Sequence, residues 1–589
     1  MLRQDLVLVP LHPVQRTIEF SAVLLAAASG FLIAFNLTPS ATLFNQLAAV
    51  IGWSLWVLML SDGAPLPGLN RRARPAVVAL ALMGVAMLAS PFWTGLPLSL
   101  LLMNGGLLAA ALLALMAGVG AAGRGEVTRV FSLLAWALLI AGLLNVAISL
   151  VQVFVPNWAD GSVIARSGLV GRSIGNMRQP NHLASLLMWA CIAAVFLCDA
   201  PKRRPRAAAL LLVAALFACV FGVVLSASRT GMLAVAVLAL WGLLDRKLAR
   251  ASRWVLIGTP VMLAISWALM AIWASGGGHA FGAESRLAEG AGSPTRLAIL
   301  ANAWSLLKQH PLMGVGWGEF NLAWSMTPFP TRPIAFFDHT HDLPMQLLVE
   351  LGVPLALLVM GLLAWSMWHA ARAGQQAQGR EAVALRSAFM LVLMIGLHSL
   401  LEYPLWYAYF LLPTVFALGL CLGGREANAR NAIKTPALPG AALQVLAAVL
   451  IAGSLFAAWD YRRVVVIYAP PDDAGPLTTR IAAGQRSWFF TTQADYAAAT
   501  SLPPGQAALD AAKRTAHNLI DVRLMMAWAR SLHETGDDDR ARYVVQRLKE
   551  FRNAQGKEWL AECEELTAGE ARPFQCDPPS RDYSYQEMR

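Results

Sequence analysis

Charge is what this 589-residue chain has least of. Asp, Glu, Lys and Arg make up 14% of it against 57% hydrophobic residues, and the mean hydropathy is +0.54. Soluble proteins carry about 25% charged residues, so the deficit excludes a water-soluble domain as the bulk of the molecule. Cysteine is also scarce, with six residues, too few for a fold built on disulfides. Cys191, Cys198, Cys219 and Cys421 lie in apolar runs as packed thiols. Cys563 and Cys576 sit in a polar tail, where a disulfide can form if the tail faces an oxidising compartment. Acidic residues number 35 against 46 basic ones, a net charge of +11. The basic segments are short and lack interleaved aromatics, which argues against a nucleic-acid platform. Basic loops retained in the cytoplasm by a membrane protein produce the same excess. The first apolar run, from Ile18, has no small-residue cleavage pattern and reads as a first span, not as a signal peptide.

A membrane-crossing helix needs about 20 apolar residues. On that ruler spans fall near 18–36, 42–60, 76–92, 98–118, 130–155, 183–199, 207–225, 231–244, 254–274, 346–368, 387–401, 405–422 and 437–458, about thirteen by this length criterion. Alternate connections carry the basic clusters: RRAR at 71–74, Arg124, KRRPR at 202–206, DRKLARASR at 245–253, Arg372 to Arg386, and Arg425 to Lys434. The loops at 37–41, 91–97 and 402–404 have no Lys or Arg. The positive-inside bias places the clusters in the cytoplasm. The expected fold is an all-α polytopic membrane bundle over residues 1–459. It carries a large outer loop at 275–345, rich in Gly, Pro and Trp, and a soluble helical tail at 460–589. Within the tail, 524–551 reads as two amphipathic helices joined by a Gly-Asp turn, like one tetratricopeptide (TPR-like) unit, although any helical hairpin gives that pattern.

Seven arginines oppose the charge bias and fall on the outer side: Arg166, Arg172, Arg178, Arg229, Arg286, Arg296 and Arg332. The guanidinium fork matches phosphate oxygens, so their retention there suggests a held anion. Four segments could bear chemistry. In FFDHTHDLPMQLLVELG (336–352), Asp342 is placed to cap a helix with Pro344 in its first turn. His339 and His341 then sit at the boundary, near the positive helix end, where a neutral imidazole could take a proton from an alcohol. A His-Asp pair that only fixes the loop is the alternative, and the H-x-H pattern matches no metal-ligand set. In GNMRQPNHLASLL (175–187), Arg178, Gln179, Asn181 and His182 offer donors, of which a helix cap would need one. In SASRTG (226–231), Arg229 stands in a tight turn between spans. In LHSLLEYPLWY (397–407), His398, Glu402, Tyr403 and Tyr407 lie near a span end. Glu350 belongs to the same class, and an ion pair of Glu350 or Glu402 with a buried arginine is the structural alternative.

Taken together, these segments resemble the bacterial family of O-antigen ligases, Wzy-type polymerases and PglL-type protein O-oligosaccharyltransferases. The family's loop carries a P-x-x-G-x-G segment, matched here by HPLMGVGWGEF (310–320), and a His motif, matched by residues 339–343. RQPNHLAS (178–185), LEYPLWY (401–407) and the soluble tail are closer to the PglL-type branch. Recognisable motifs extend over about 130–422. Position by position, the resemblance implies His341 as the essential periplasmic histidine and Arg229 as the arginine of the SR-type motif. Gln179 falls on the glutamine of the Q-x-N-H-like segment and Tyr403 on the EYP-type tyrosine. The residue after the second histidine is often Asn in this family; here it is Asp342, a carboxylate able to raise the basicity of a neighbouring imidazole.

The resemblance implies an enzyme of the bacterial inner membrane with its active site on the periplasmic side. It would move a preassembled oligosaccharide en bloc from undecaprenyl diphosphate to Ser or Thr hydroxyls of a periplasmic or pilin-like protein. Arg229, with Arg178, Arg296 and Arg332, is expected to neutralise the diphosphate, and His341 to act as base. Gln179 and Tyr403 are expected to position the donor, with Asn181, His182, His339 and Glu402 as further substrate contacts. No metal and no cofactor beyond the lipid-linked substrate is expected. The same architecture serves ligation to lipid A-core and polymerisation of repeat units. A transporter would instead show inverted repeats and midplane binding, whereas the polar residues here gather at one face.

Overall fold

A backbone in hydrocarbon must satisfy its own N–H and C=O groups, which makes helices of the apolar runs. The computed structural model describes residues 13–61, 70–199, 205–284, 294–424, 440–565 and 572–589. Among them no β-strand occurs beyond one isolated bridge between Leu37 and Ser40. The first half of the bundle comprises α1 (Pro13–Leu32), α2 (Leu43–Leu60), α3 (Arg74–Thr94), α4 (Leu98–Gly123), α5 (Val127–Phe154), α6 (Pro180–Cys198), α7 (Pro205–Ser226) and α8 (Arg229–Leu244). After α9 (Arg250–Ile257) and α10 (Thr259–Gly277), the described residues of the large loop include α11 (Pro294–Gln309) and α12 (Phe320–Met326). The bundle resumes with α13 (Leu343–Gln376), α14 (Gly379–His398), α15 (Ala408–Leu422) and α16 (Gly440–Tyr468). Ten of the described helices are long and apolar enough to cross a membrane; the apolar segments Thr17–Leu32, Arg229–Leu244 and Ala408–Leu422 are shorter. The protein is a multi-pass membrane helix bundle. KRRPR apart from its last two residues, the cluster from Arg425 to Lys434, and Arg286 lie outside the described residues.

Close approach of backbones holds the bundle. A Cβ on Gly118 of α4 would lie 2.3 Å from the Phe416 carbonyl oxygen of α15, and one on Gly419 would lie 2.3 Å from that of Leu115. Small residues at crossings let van der Waals contact do what hydrophobicity cannot do within lipid.

The tail continues as α17 (Leu477–Gly484), α18 (Thr491–Ser501), α19 (Gln506–Thr515), α20 (Val522–Glu534), α21 (Asp538–Glu550) and α22 (Ala554–Leu560). The hairpin read at 524–551 is α20–α21, turned at Gly536 (φ 83°) with Asp537 capping α21. The tail does not have a core to itself. Ile299, Ala303, Trp324 and Phe320 of the loop share one apolar cluster with Trp528, Tyr543, Leu548 and Phe551 of the tail. Loop and tail therefore form one packed body, joined to the bundle where Thr491 Oγ1 of α18 donates to Ser99 Oγ of α4 at 2.7 Å. Cys563 and Cys576 form a disulfide, and Cys191, Cys219 and Cys421 are buried thiols.

Candidate active site

The turn before α13 is built from its own polar side chains. Asp342 is the N-cap: Oδ1 accepts from Met345 N at 2.8 Å, and Pro344 occupies the first turn. His341 adopts φ 58°, a left-handed geometry uncommon outside glycine. Its neighbours hold it there. Thr340 N donates to Gln346 Oε1 (2.8 Å), Thr340 Oγ1 donates to Asp342 O (2.8 Å), and Leu343 N donates to Ser399 O at the end of α14 (2.8 Å). Gln346 in turn donates to Glu350 Oε1 at 2.9 Å, so Glu350 is held by an amide and not by an arginine.

The glycine-rich segment 310–320 explains itself here. Gly352 (φ 74°) breaks α13, and the freed backbone pairs with the segment: Val315 N donates to Val349 O (2.8 Å), Gly316 N to Glu350 O (3.1 Å) and Val353 N to Pro311 O (2.8 Å). A Cβ on Gly314 would meet Glu350 O at 2.5 Å, and one on Gly352 would meet Leu312 O at 2.3 Å. The motif is a clamp on the helix that presents His341.

Glu402 is the hub of the site. It is 7% exposed and lies in the turn between α14 and α15. Its Oε2 is 2.7 Å from His341 Nδ1, while Oε1 accepts from Arg296 Nη2 of α11 (2.5 Å) and from Asn181 Nδ2 of α6 (3.0 Å). Asn181 Oδ1 accepts from Ser228 Oγ at 2.7 Å, and Ser228 caps α8, accepting from Gly231 N. Burial works against ionisation of Glu402, but the hydrogen bond and charge of His341, with Arg296 and His398, outweigh it and hold its pKa below the usual glutamate range. An ionised carboxylate only accepts. His341 Nδ1 is therefore the donor of this pair, which leaves Nε2 as the acceptor in the neutral form of the ring.

Aromatic rings wall this histidine. Tyr403 stands edge-on to His341 (5.0 Å) and stacks on His339 (4.4 Å, 12°), while Phe337 meets His341 edge-on at 5.3 Å. Burial, with Asp338 next, pushes the Tyr403 phenol well above its ordinary value and that of Tyr407 up to about 12. Both remain O–H donors at any working pH.

The remaining candidates divide. Arg229 opens α8 one residue after Ser228, half-buried, and makes an interaction of its own. Gln179 caps α6, its Oε1 accepting from His182 N at 2.8 Å. Three expectations need correction. His182 is not a donor above the membrane: it is 3% exposed, with Nδ1 3.1 Å from the Tyr409 hydroxyl and its ring against Tyr407 and Phe410. Arg178 gives its guanidinium to Ala34 O, Ala41 O and Asn36 Oδ1, and so fastens the 34–41 loop. Arg332 is sealed in the loop–tail core, its side chain 0% exposed, paired with Glu550 (3.0 Å) and Trp324 O (2.7 Å). Asn181 and Glu402 are brought to the site as joints of the scaffold that holds His341. The carboxylate facing His341 is Glu402, 61 residues on, and not the adjacent Asp342.

Three segments match known families. Residues 174–198 match a protein glycosylation ligase family and residues 213–360 match O-antigen ligase. Residues 387–561 match the C-terminal part of a virulence factor membrane-bound polymerase family. Between them these matches contain every segment that builds the site. A general O-oligosaccharyltransferase of Acinetobacter baylyi strain ADP1 is 32% identical over 126 residues, which span 21% of this chain and 21% of that protein. Over these segments the resemblance to PglL-type protein O-oligosaccharyltransferases of the O-antigen ligase superfamily is shown.

Proposed function

We propose that this PglL-type relative of the O-antigen ligases transfers a preassembled oligosaccharide from undecaprenyl diphosphate to a Ser or Thr hydroxyl of a periplasmic or pilin-like protein. The observation that carries the reading is the Glu402-bound His341, whose Nε2 is left as the proton acceptor. Nε2 takes the proton of the acceptor hydroxyl. The oxygen attacks the anomeric carbon as the bond from that carbon to the phosphate oxygen breaks, and undecaprenyl diphosphate leaves with the bonding pair. A single displacement of this kind inverts the anomeric centre. Arg229, at the positive end of α8, and Arg296 neutralise the growing charge on the diphosphate. Tyr403 and the Gln179 amide position the donor. The diphosphate bond drives the transfer, so the proposal requires neither metal nor nucleotide.

The proposed location is the inner membrane with loop and tail on the periplasmic side. Basic clusters at the opposite loop ends and the Cys563–Cys576 disulfide support that orientation. The O-antigen ligase match supports a second acceptor, lipid A-core, for the same chemistry. Intact-mass analysis decides between them: the protein is co-expressed with a lipid-linked glycan and a serine-bearing acceptor. A glycan mass on the acceptor that disappears with His341→Ala supports the proposal. Glycan found only on lipopolysaccharide sinks protein glycosylation, and full transfer by His341→Ala sinks the mechanism.

A further inference from the structure

A cleft of about 480 Å³ opens in the tail between the end of α21 and α22. Pockets of roughly 300–1,000 Å³ are the usual size of ligand sites. The floor is apolar, from Leu548, Gly556, Leu560 and Ala561, and one wall is Cys563 of the disulfide. Three cations line it, Lys549, Arg552 and Lys557, against one carboxylate, Glu564. Glu550, adjacent to Lys549, points away into its pairs with Arg332 and Arg547. Glu562 is held by Gln575 at 3.0 Å.

A chain of packed side chains links the cleft's wall to the candidate active site. Arg552 Nη2 donates to Arg332 O of the loop at 2.9 Å. The adjacent Phe551 stacks on Phe336 (3.8 Å, 11°), and the next loop residue, Phe337, packs on the His341 ring. Two aromatic contacts thus separate the cationic rim from the proposed base.

We propose that the cleft bounded by Lys549, Arg552 and Lys557 docks an acidic segment of the acceptor polypeptide that flanks the modified serine or threonine. This inference rests on the proposed function in taking the acceptor to be a protein. Docking of this kind acts on acceptor affinity and leaves the displacement at the anomeric carbon untouched. Its attraction is that of exposed charge pairs, individually modest and weakened by salt.

The test uses the full-length protein in proteoliposomes with a lipid-linked glycan. Two soluble acceptors share one serine segment; a run of glutamates flanks it in the first, and glutamines replace them in the second. The KM for the glutamate acceptor is expected to be about tenfold lower, a difference that fades as salt rises. Lys549→Glu with Lys557→Glu removes the difference and leaves kcat and the donor KM unchanged. A third acceptor with lysines in the flank regains low KM with that double variant. Arg552 is left intact because it ties the loop, and retention of the melting temperature and of the disulfide shows that the variant folds. Equal KM for the first two acceptors on the wild-type protein, with transfer proceeding, overturns the cleft and leaves the proposed function standing. A raised donor KM in the double variant also overturns it, in favour of glycan binding. Modification of lipid A-core with neither acceptor used removes the protein-acceptor reading itself.

Discussion

Glu402 holds an imidazole on one oxygen and a guanidinium and an amide on the other. Neutralising it as Glu402→Gln leaves the shape but frees His341 to flip its tautomer. Loss of an orienting carboxylate from a histidine base costs on the order of 10²–10⁴ in kcat. Steady-state transfer rates should fall by that amount with KM for the donor changed far less; an unchanged kcat would leave Glu402 a structural joint only. The same group gives a pH dependence. Its pKa is lowered by folding, so its contribution to stability is full above the unfolded value of about 4.3 and is lost as pH falls through the lower folded value. The melting-temperature gap between wild type and Glu402→Gln should close as pH falls below the unfolded glutamate value of about 4.3. His341 and Arg229 were singled out by motif and by an expected sidedness, and the structure sets His341 against Glu402 and Arg229 at the start of α8. What each arginine touches was not legible. Arg178 and Arg332 share Arg229's expected sidedness, yet both bind the protein's own carbonyls, amide oxygen or carboxylate. His182 failed similarly, because a polar run at a helix start does not say which side chain faces inward.

The broken helix α13 links two motifs that sequence reading kept apart. The glycine-rich segment was visible as a family feature, but its purpose depends on backbone pairing across Gly352 that no local pattern encodes. Gly314→Ala and Gly352→Ala each place a Cβ within 2.5 Å of a carbonyl oxygen at positive φ, and the two effects add. Backbone strain of this kind costs about 1–3 kcal/mol. Thermal unfolding should show that loss, together with reduced kcat as the His341 turn shifts. Gly361→Ala on the same helix, with nothing within 4 Å of the new methyl, is the control and should be neutral or slightly stabilising. If the clamp variants melt lower but turn over normally, the segment stabilises the fold without positioning the base.

At the scale of the whole molecule, apolar length marked the helices of the bundle, ten of which among the described residues are long enough to cross a membrane, because in lipid the backbone has few choices. The joint core of loop and tail was hidden, since it pairs residues some 200 positions apart, as in the 2.6 Å bond from Tyr543 Oη to Met326 O. Arg332 is the key of that core. Its guanidinium lies 4.7–4.9 Å from the rings of Trp324, Phe329 and Phe551 and pairs with Glu550. Burial pulls its pKa down, offset in part by Glu550, to about 10, so it stays charged at neutral pH. Removing one partner of a buried pair costs about 3–5 kcal/mol, whereas replacing both by apolar groups is far less damaging. Arg332→Met should therefore loosen the loop from the tail and expose 294–337 to limited proteolysis. Glu550 also pairs with the buried Arg547, so it is Arg332→Met with Glu550→Met and Arg547→Met that should restore much of the protection. Because Phe336 and Phe337 connect that core to His341, transfer to a free serine peptide should fall in the single variant and recover in the triple one. Deleting 469–589 removes the same support and should abolish transfer to the free peptide too. A truncated protein that still modifies the peptide at the wild-type rate would show that the tail serves acceptor capture alone.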